Sequence, residues 1–175
     1  MNAAQELWWK QAKADLELFE HLRGRPGWRY PCHSLQALQM ASEKIAKASF
    51  RAGAQAPTQR SHLGLTKLLR RLSTVREADQ PLVARVFSVD YFERFENLLF
   101  RVRAIARDVE RLPPAIAGPD RVNLEYPWPD HAPTSTPAAW EFDVWKRLEI
   151  AEGREFLRFL SRAVDGFPQY AHVFR

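Results

Sequence analysis

Apolar residues recur at intervals of three and four along nearly the whole chain, and no run alternates long enough to make a strand. This periodicity commits the chain to helices that pack through apolar stripes. Ala3 to Leu22 reads as the first helix, with Trp8, Ala12, Leu16, Phe19 and Leu22 on one stripe and Lys10, Lys13, Asp15 and Glu17 off it. A basic turn with Gly24, Pro26, Gly27 and Pro31 ends it. The second helix runs from about His33 to Ala52, with Leu38, Ala41, Ile45, Ala48 and Ala52 facing inward and Gly53 as its stop. Ser61 reads as the N-cap of a third helix that buries Leu65, Leu68, Leu69 and Leu72.

Residues 73–88 suggest one short helix after Pro81. Val89 to about Leu112 is strongly helical, with Phe92, Phe95, Leu99, Val102 and Ile105 in register, until Pro113 and Pro114 stop it. Residues 113–140 carry seven of the twelve prolines and read as an irregular loop. A last helix spans about Glu152 to Gly166, through Phe156, Phe159, Leu160 and Ala163. The expected fold is all-α, an antiparallel up-and-down bundle of four to five helices with a long Pro-rich loop before the last. A length of 175 residues and a hydrophobic content of 46% suit one domain, 1–175, with a real core.

The charge is uneven. Overall it is +5, with 26 Lys and Arg against 21 Asp and Glu. Between Arg23 and Arg76 eleven cations face a single acid, Glu43, a local net of +10 that leaves about −5 for the rest of the chain. A basic region of this kind suits an anionic partner such as nucleic acid, nucleotide phosphates or an acidic protein surface.

Several function classes are excluded or disfavoured. One cysteine, Cys32, cannot form a disulfide within the chain or a cysteine metal cluster. His21, His33, His62, His131 and His172 show no paired ligand spacing, so no metal and no cofactor is expected. The chain has no P-loop, no dinucleotide-binding glycine fingerprint, no H-E-x-x-H and no G-x-S-x-G. No apolar run reaches membrane-spanning length, and MNAAQELWWK is not a secretion signal. A cytoplasmic location without membrane association is the expectation.

The second helix is the most informative segment. Gln39, Glu43 and Lys47 stand at i, i+4 and i+8 and share one face. Glu43 four residues before Lys47 is the favoured order for a helical ion pair. On spacing alone, the array suits either a solvated polar stripe or a binding face.

The string Gln39-x-x-x-Glu43-Lys44-x-x-Lys47-Ala48, followed by Gly53, Pro57 and His62 ahead of a Leu-rich helix, resembles the HEPN domain. Trp9, Ala12, Asp15 and Leu16 are similar to its first helix, and the order of later elements fits over residues 5–167. The resemblance implies one of two roles. Many HEPN proteins are metal-independent ribonucleases with an Arg, four to six residues and then a His, often paired across a homodimer. Others lack that motif and serve as binding modules or as partners of small nucleotidyltransferases.

No histidine here has an Arg at the required distance: Arg29 and His33 are too close, Arg162 and His172 too far apart. The expectation is a homodimeric HEPN-type protein of a bacterial defence or toxin–antitoxin system that binds RNA, a nucleotide or a nucleotidyltransferase. Its binding residues would be Gln39, Glu43, Lys44, Lys47, Arg51 and His62. The alternatives are a divergent ribonuclease, with His33 or His62 as base and Arg29 or Arg51 as phosphate clamp, and a structural helical adaptor.

Three further features remain open. Tyr126 and Pro127 stand where related nucleotidyltransferase-associated proteins carry an Arg-Tyr-Pro segment, with Glu125 here in place of the arginine; the resemblance implies AMP addition at Tyr126, and the alternative is a residue that anchors the loop. Arg103, Arg107 and Arg111 form a stripe, but residues 88–112 hold five arginines and five acids, which suits a solvated or dimer-facing surface. Trp8 and Trp9 point about 100° apart on a helix, which suits one of them meeting a partner subunit.

Overall fold

The computed structural model describes residues 1–51, 64–117, 122–125 and 136–174. All regular structure among them is helical: α1 (Ala3–Gly24), α2 (Pro31–Phe50), α3 (Leu65–Leu72), α4 (Gln80–Val86), α5 (Phe92–Glu110), α6 (Pro114–Ala117), α7 (Asp143–Leu148), α8 (Ala151–Asp165) and α9 (Phe167–Tyr170). Short 3₁₀ turns lie at Glu77–Asp79, Pro137–Ala139 and Ala171–Phe174.

Side-chain links between the long helices show their directions. Asn2 Nδ2 at the start of α1 donates to Arg51 O just past α2, at 2.8 Å. Lys44 in mid α2 pairs with Asp15 in mid α1 at 2.6 Å. These two helices therefore run antiparallel. α8 runs against α1, with Trp9 Nε1 donating to Val164 O at 2.7 Å and Arg23 pairing with Glu149 at 2.9 Å. α5 runs against α8 in turn: Arg101 in mid α5 pairs with Glu155 near the start of α8 at 2.8 Å, and Arg162 near the end of α8 donates to Phe87 O ahead of α5. The four long helices α1, α2, α5 and α8 thus alternate in direction.

The core sits between them. Phe87 lies 5.1 Å from Phe159 in a stacked pair and 4.7 Å from Phe95. Fully buried Tyr170 donates its hydroxyl to Ala163 O at 2.6 Å, and burial pushes the phenol up beyond its usual range.

The structure corrects several boundaries. α2 begins at Pro31, two residues earlier than His33, because proline suits the first helical turn. The segment after Ser73 holds a 3₁₀ turn and then α4, which takes Pro81 into its first turn. The region expected to be irregular, 113–140, contains α6 and the 3₁₀ turn at Pro137. α7, α9 and the final 3₁₀ turn were not expected. They are too short to show a period; burial of Phe142, Val144 and Leu148, and of Phe167, Tyr170 and Phe174, holds them. Neither Trp8 nor Trp9 points freely outward. Both are half-buried against their own chain, Trp9 on α8 and Trp8 over the Lys47 ammonium.

Candidate functional site

The array on α2 faces α1 rather than solvent. Gln39 is 4% exposed and Glu43 6%. Gln39 Nε2 donates to Glu43 Oε2 at 3.1 Å, and Lys47 Nζ donates to Glu43 Oε1. The Lys47 ammonium also lies 4.9 Å from the centroid of the Trp8 ring, a cation–π distance. The neighbouring Lys44–Asp15 pair is nearly covered, with side chains 12% and 15% exposed. Two lysines are thereby matched to two carboxylates along the seam between α1 and α2. Burying a charge is tolerable only with such partners. The expected basic face of α2 is turned inward, and its cations hold the first two helices together.

The other sequence candidates are scattered. Arg29, on the turn between α1 and α2, and His33, in the first turn of α2, are both exposed. There Trp28 Nε1 donates to Tyr30 O and to Ser34 Oγ, each at 3.0 Å, and Tyr30 sits edge-on to His33 with ring centroids 6.0 Å apart. Arg51, half-buried, closes α2 and accepts the bond from Asn2 at its carbonyl. Cys32 is buried, and burial pushes its thiol up, away from nucleophilic reactivity. His62 and Tyr126 lie outside the described residues.

The open basic feature lies elsewhere, between α3 and α5. α3 buries Leu65, Leu68, Leu69 and Leu72, which leaves Lys67 and Arg70 exposed. Arg71 turns inward between the Phe50 and Phe174 rings, donating to Ser49 O and Phe174 O. On α5 the inward stripe of Phe95, Leu98, Leu99, Val102, Ile105 and Ala106 leaves Glu96, Phe100, Arg103 and Arg107 outside, three or four residues apart on one face.

A groove of about 290 Å³ separates the two helices. Thr66, Arg70 and Ser73 line one wall, Glu96, Phe100 and Arg103 the other, over a floor of Leu69 and Leu99. Phe100 is 79% exposed. Among the described residues neither the Arg70 nor the Arg103 guanidinium has an ion pair or hydrogen-bond partner. The groove can therefore offer two fork-shaped anion donors, three hydroxyl or carboxylate groups and an aromatic face.

Two contacts set the position of α3. Gly64 leads into it against α2, where an added Cβ would lie 2.8 Å from Ala46 Cβ. Buried Glu110 at the end of α5 accepts from Thr66 N at 2.9 Å and Thr66 Oγ1 at 2.8 Å. Burial raises the Glu110 carboxyl above its usual range, against the pull of the Thr66 and Leu65 hydrogen bonds and of Lys67. The folded protein then holds the Glu110 proton more tightly than the unfolded chain does. Its contribution is complete below the ordinary carboxylate pKa and is lost as pH rises through the folded value. Glu110→Gln keeps the acceptor for Thr66 N–H and removes this titration. Urea melts across a pH series are expected to show a flatter profile for the variant over that window, with stability at neutral pH equal to or above that of the parent.

Sequence reasoning singled out Arg103 and Arg107 but missed Phe100 and the role of Arg70. The available signal was a large apolar residue at position 100, off the Phe95–Leu99–Val102 stripe. Among the described residues no group of three His, Cys, Asp or Glu could hold a metal ion, and no helix is long and apolar enough to cross a membrane. No family model, no curated protein and no solved structure matches this chain.

Proposed function

We propose that this chain is a binding module for single-stranded RNA, with the α3–α5 groove as its site. The observation that carries the reading is a pair of arginines without partners among the described residues, Arg70 and Arg103, on opposite walls of a groove rimmed by Phe100. Arginine forks suit phosphate, and an exposed aromatic face suits an unstacked base. Glu96 is out of place in a purely phosphate-binding groove, but it is an acceptor for a ribose 2′-hydroxyl, which favours RNA over DNA. The HEPN-like order of helices and the Gln39–Glu43–Lys47 array support placing the module in a bacterial defence or toxin–antitoxin setting. In that setting an acidic surface of a nucleotidyltransferase would compete for the same arginines.

The test is fluorescence anisotropy of a labelled single-stranded oligoribonucleotide, in EDTA, over a range of salt. Arg70→Ala/Arg103→Ala is expected to weaken binding about thirtyfold and to reduce the salt slope by about 1.4, the loss of two phosphate contacts on a single strand. Phe100→Ala is expected to weaken binding about tenfold with the salt slope unchanged, because stacking is uncharged. The matching DNA oligonucleotide should bind less tightly. Absence of RNA binding by the parent protein, or equal binding by the double variant, overturns the reading. Cleavage of the oligonucleotide in EDTA would instead favour the metal-independent ribonuclease.

A further inference from the structure

The outer face of α1 carries a stripe that the bundle leaves uncovered. Ala4, Leu7, Gln11, Ala14, Leu18 and His21 follow one another at steps of three and four, the a and d spacing of a coiled-coil seam. All six are exposed, Leu7 at 71% and Leu18 at 48%. The residues of α1 that serve the core, Ala12, Leu16 and Phe19, lie on a different face. Single exposed leucines are ordinary on protein surfaces; the register sets these two apart.

Read against itself in reverse, the stripe is self-complementary. Leu7 of one copy meets Leu18 of the other, Leu18 meets Leu7, and Gln11 meets Ala14 between the two leucine layers. One flank carries Lys10 and Glu17 at g positions, and in the same antiparallel register each Lys10 faces the other copy's Glu17. Glu17 has no ion pair among the described residues. Among the described residues Lys10 pairs with Glu6 on its own helix, and the two side chains are 64% and 46% exposed. The opposite flank is occupied, since Trp8 and Asp15 face Lys47 and Lys44 of α2. A parallel alignment would set Lys10 against an Asp15 already bound to Lys44, and Glu17 against Leu22.

We infer that the occupant of this face is a second copy of the chain, docked antiparallel through α1 about a two-fold axis. The surface is separate from the α3–α5 groove, so the two assignments stand or fall independently.

Sedimentation velocity from low to high micromolar concentration tests it. The parent protein is expected to sediment as a concentration-dependent dimer, and Leu7→Glu/Leu18→Glu as a monomer with an unchanged circular dichroism spectrum, because both side chains are exposed. Lys10→Glu or Glu17→Lys alone should weaken the dimer about tenfold through like-charge contacts, and the Lys10→Glu/Glu17→Lys double variant should restore it. A monomeric parent, or a dimer that survives both leucine substitutions, overturns the inference. Failure of the charge swap to restore the dimer overturns the antiparallel register.

Discussion

Gly153→Ala is expected to lower the stability of the fold by about 3 kcal/mol or more, the range of a forced backbone shift in a packed core. Gly153 stands in the first turn of α8, directly over the end of α7. A Cβ there would lie 2.0 Å from Arg147 O and 2.4 Å from Leu148 Cα. Both are backbone atoms, so no side-chain rotamer can relieve the clash, and the two helices must separate. That separation would lift fully buried Leu148 out of the core and strain Arg147, which joins Asp108 on α5 to Glu152 on α8. Gly24→Ala is the control, because nothing lies within 4 Å of the added methyl at the end of α1. Urea denaturation should show a large fall in midpoint for Gly153→Ala and little change for Gly24→Ala. Equal midpoints would mean that α7 and α8 do not pack this closely.

Glu43→Ala is the second substitution with a large expected effect, also about 3 kcal/mol, the cost of removing one partner from a buried ion pair. It would leave the Gln39 amide without its acceptor and the Lys47 ammonium without its counter-charge, in a seam where Lys47 is only 18% exposed. Glu43→Gln keeps the shape and an acceptor, so its loss should be smaller, about 1 kcal/mol, with Lys47 still held by the Trp8 ring. Thermal or urea melts give the ranking. The same variants separate two roles for α2. If Gln39, Glu43 and Lys47 act as a structural clamp, Glu43→Gln binds RNA as the parent does; if they form the ligand site, its affinity falls although the fold persists.

The helices legible in the sequence are those long enough, or apolar enough, to repeat their pattern. α1, α2, α5 and α8 each run for at least fifteen residues, and α3 shows four leucines on one face. α4, of seven residues, is signalled by Pro81, whereas α7 and α9, of six and four, leave no pattern, because propensity alone does not stabilise such short helices. Their helicity follows from what they pack on, such as the ring cluster in which Phe87 stacks on Phe159 and meets Tyr170 at a tilt.

The candidate site divides along the same line. That Gln39, Glu43 and Lys47 share a face follows from the 3.6-residue period and needs no structure. Whether that face meets water or another helix depends on which elements pack beside it. Asp15 and Trp8 answer that question, and neither is adjacent to α2 in sequence. Arg103 is visible as part of a stripe on α5, but its opposite number, Arg70, stands on a different helix, and only packing makes the two into walls of one groove.

By itself, then, the sequence determined the all-helical class, the apolar stripe of each long helix and the concentration of positive charge between Arg23 and Arg76. The tertiary structure alone decided which charges stay available. Packing α1 on α2 matches Lys44 to Asp15 and lays Trp8 over Lys47, and packing α3 on α5 brings Arg70 and Arg103, unpaired among the described residues, to one opening. The reason is that helical periodicity relates residues within a few turns of one helix, whereas the partner of a charge is whatever long-range packing sets within a few ångströms of it.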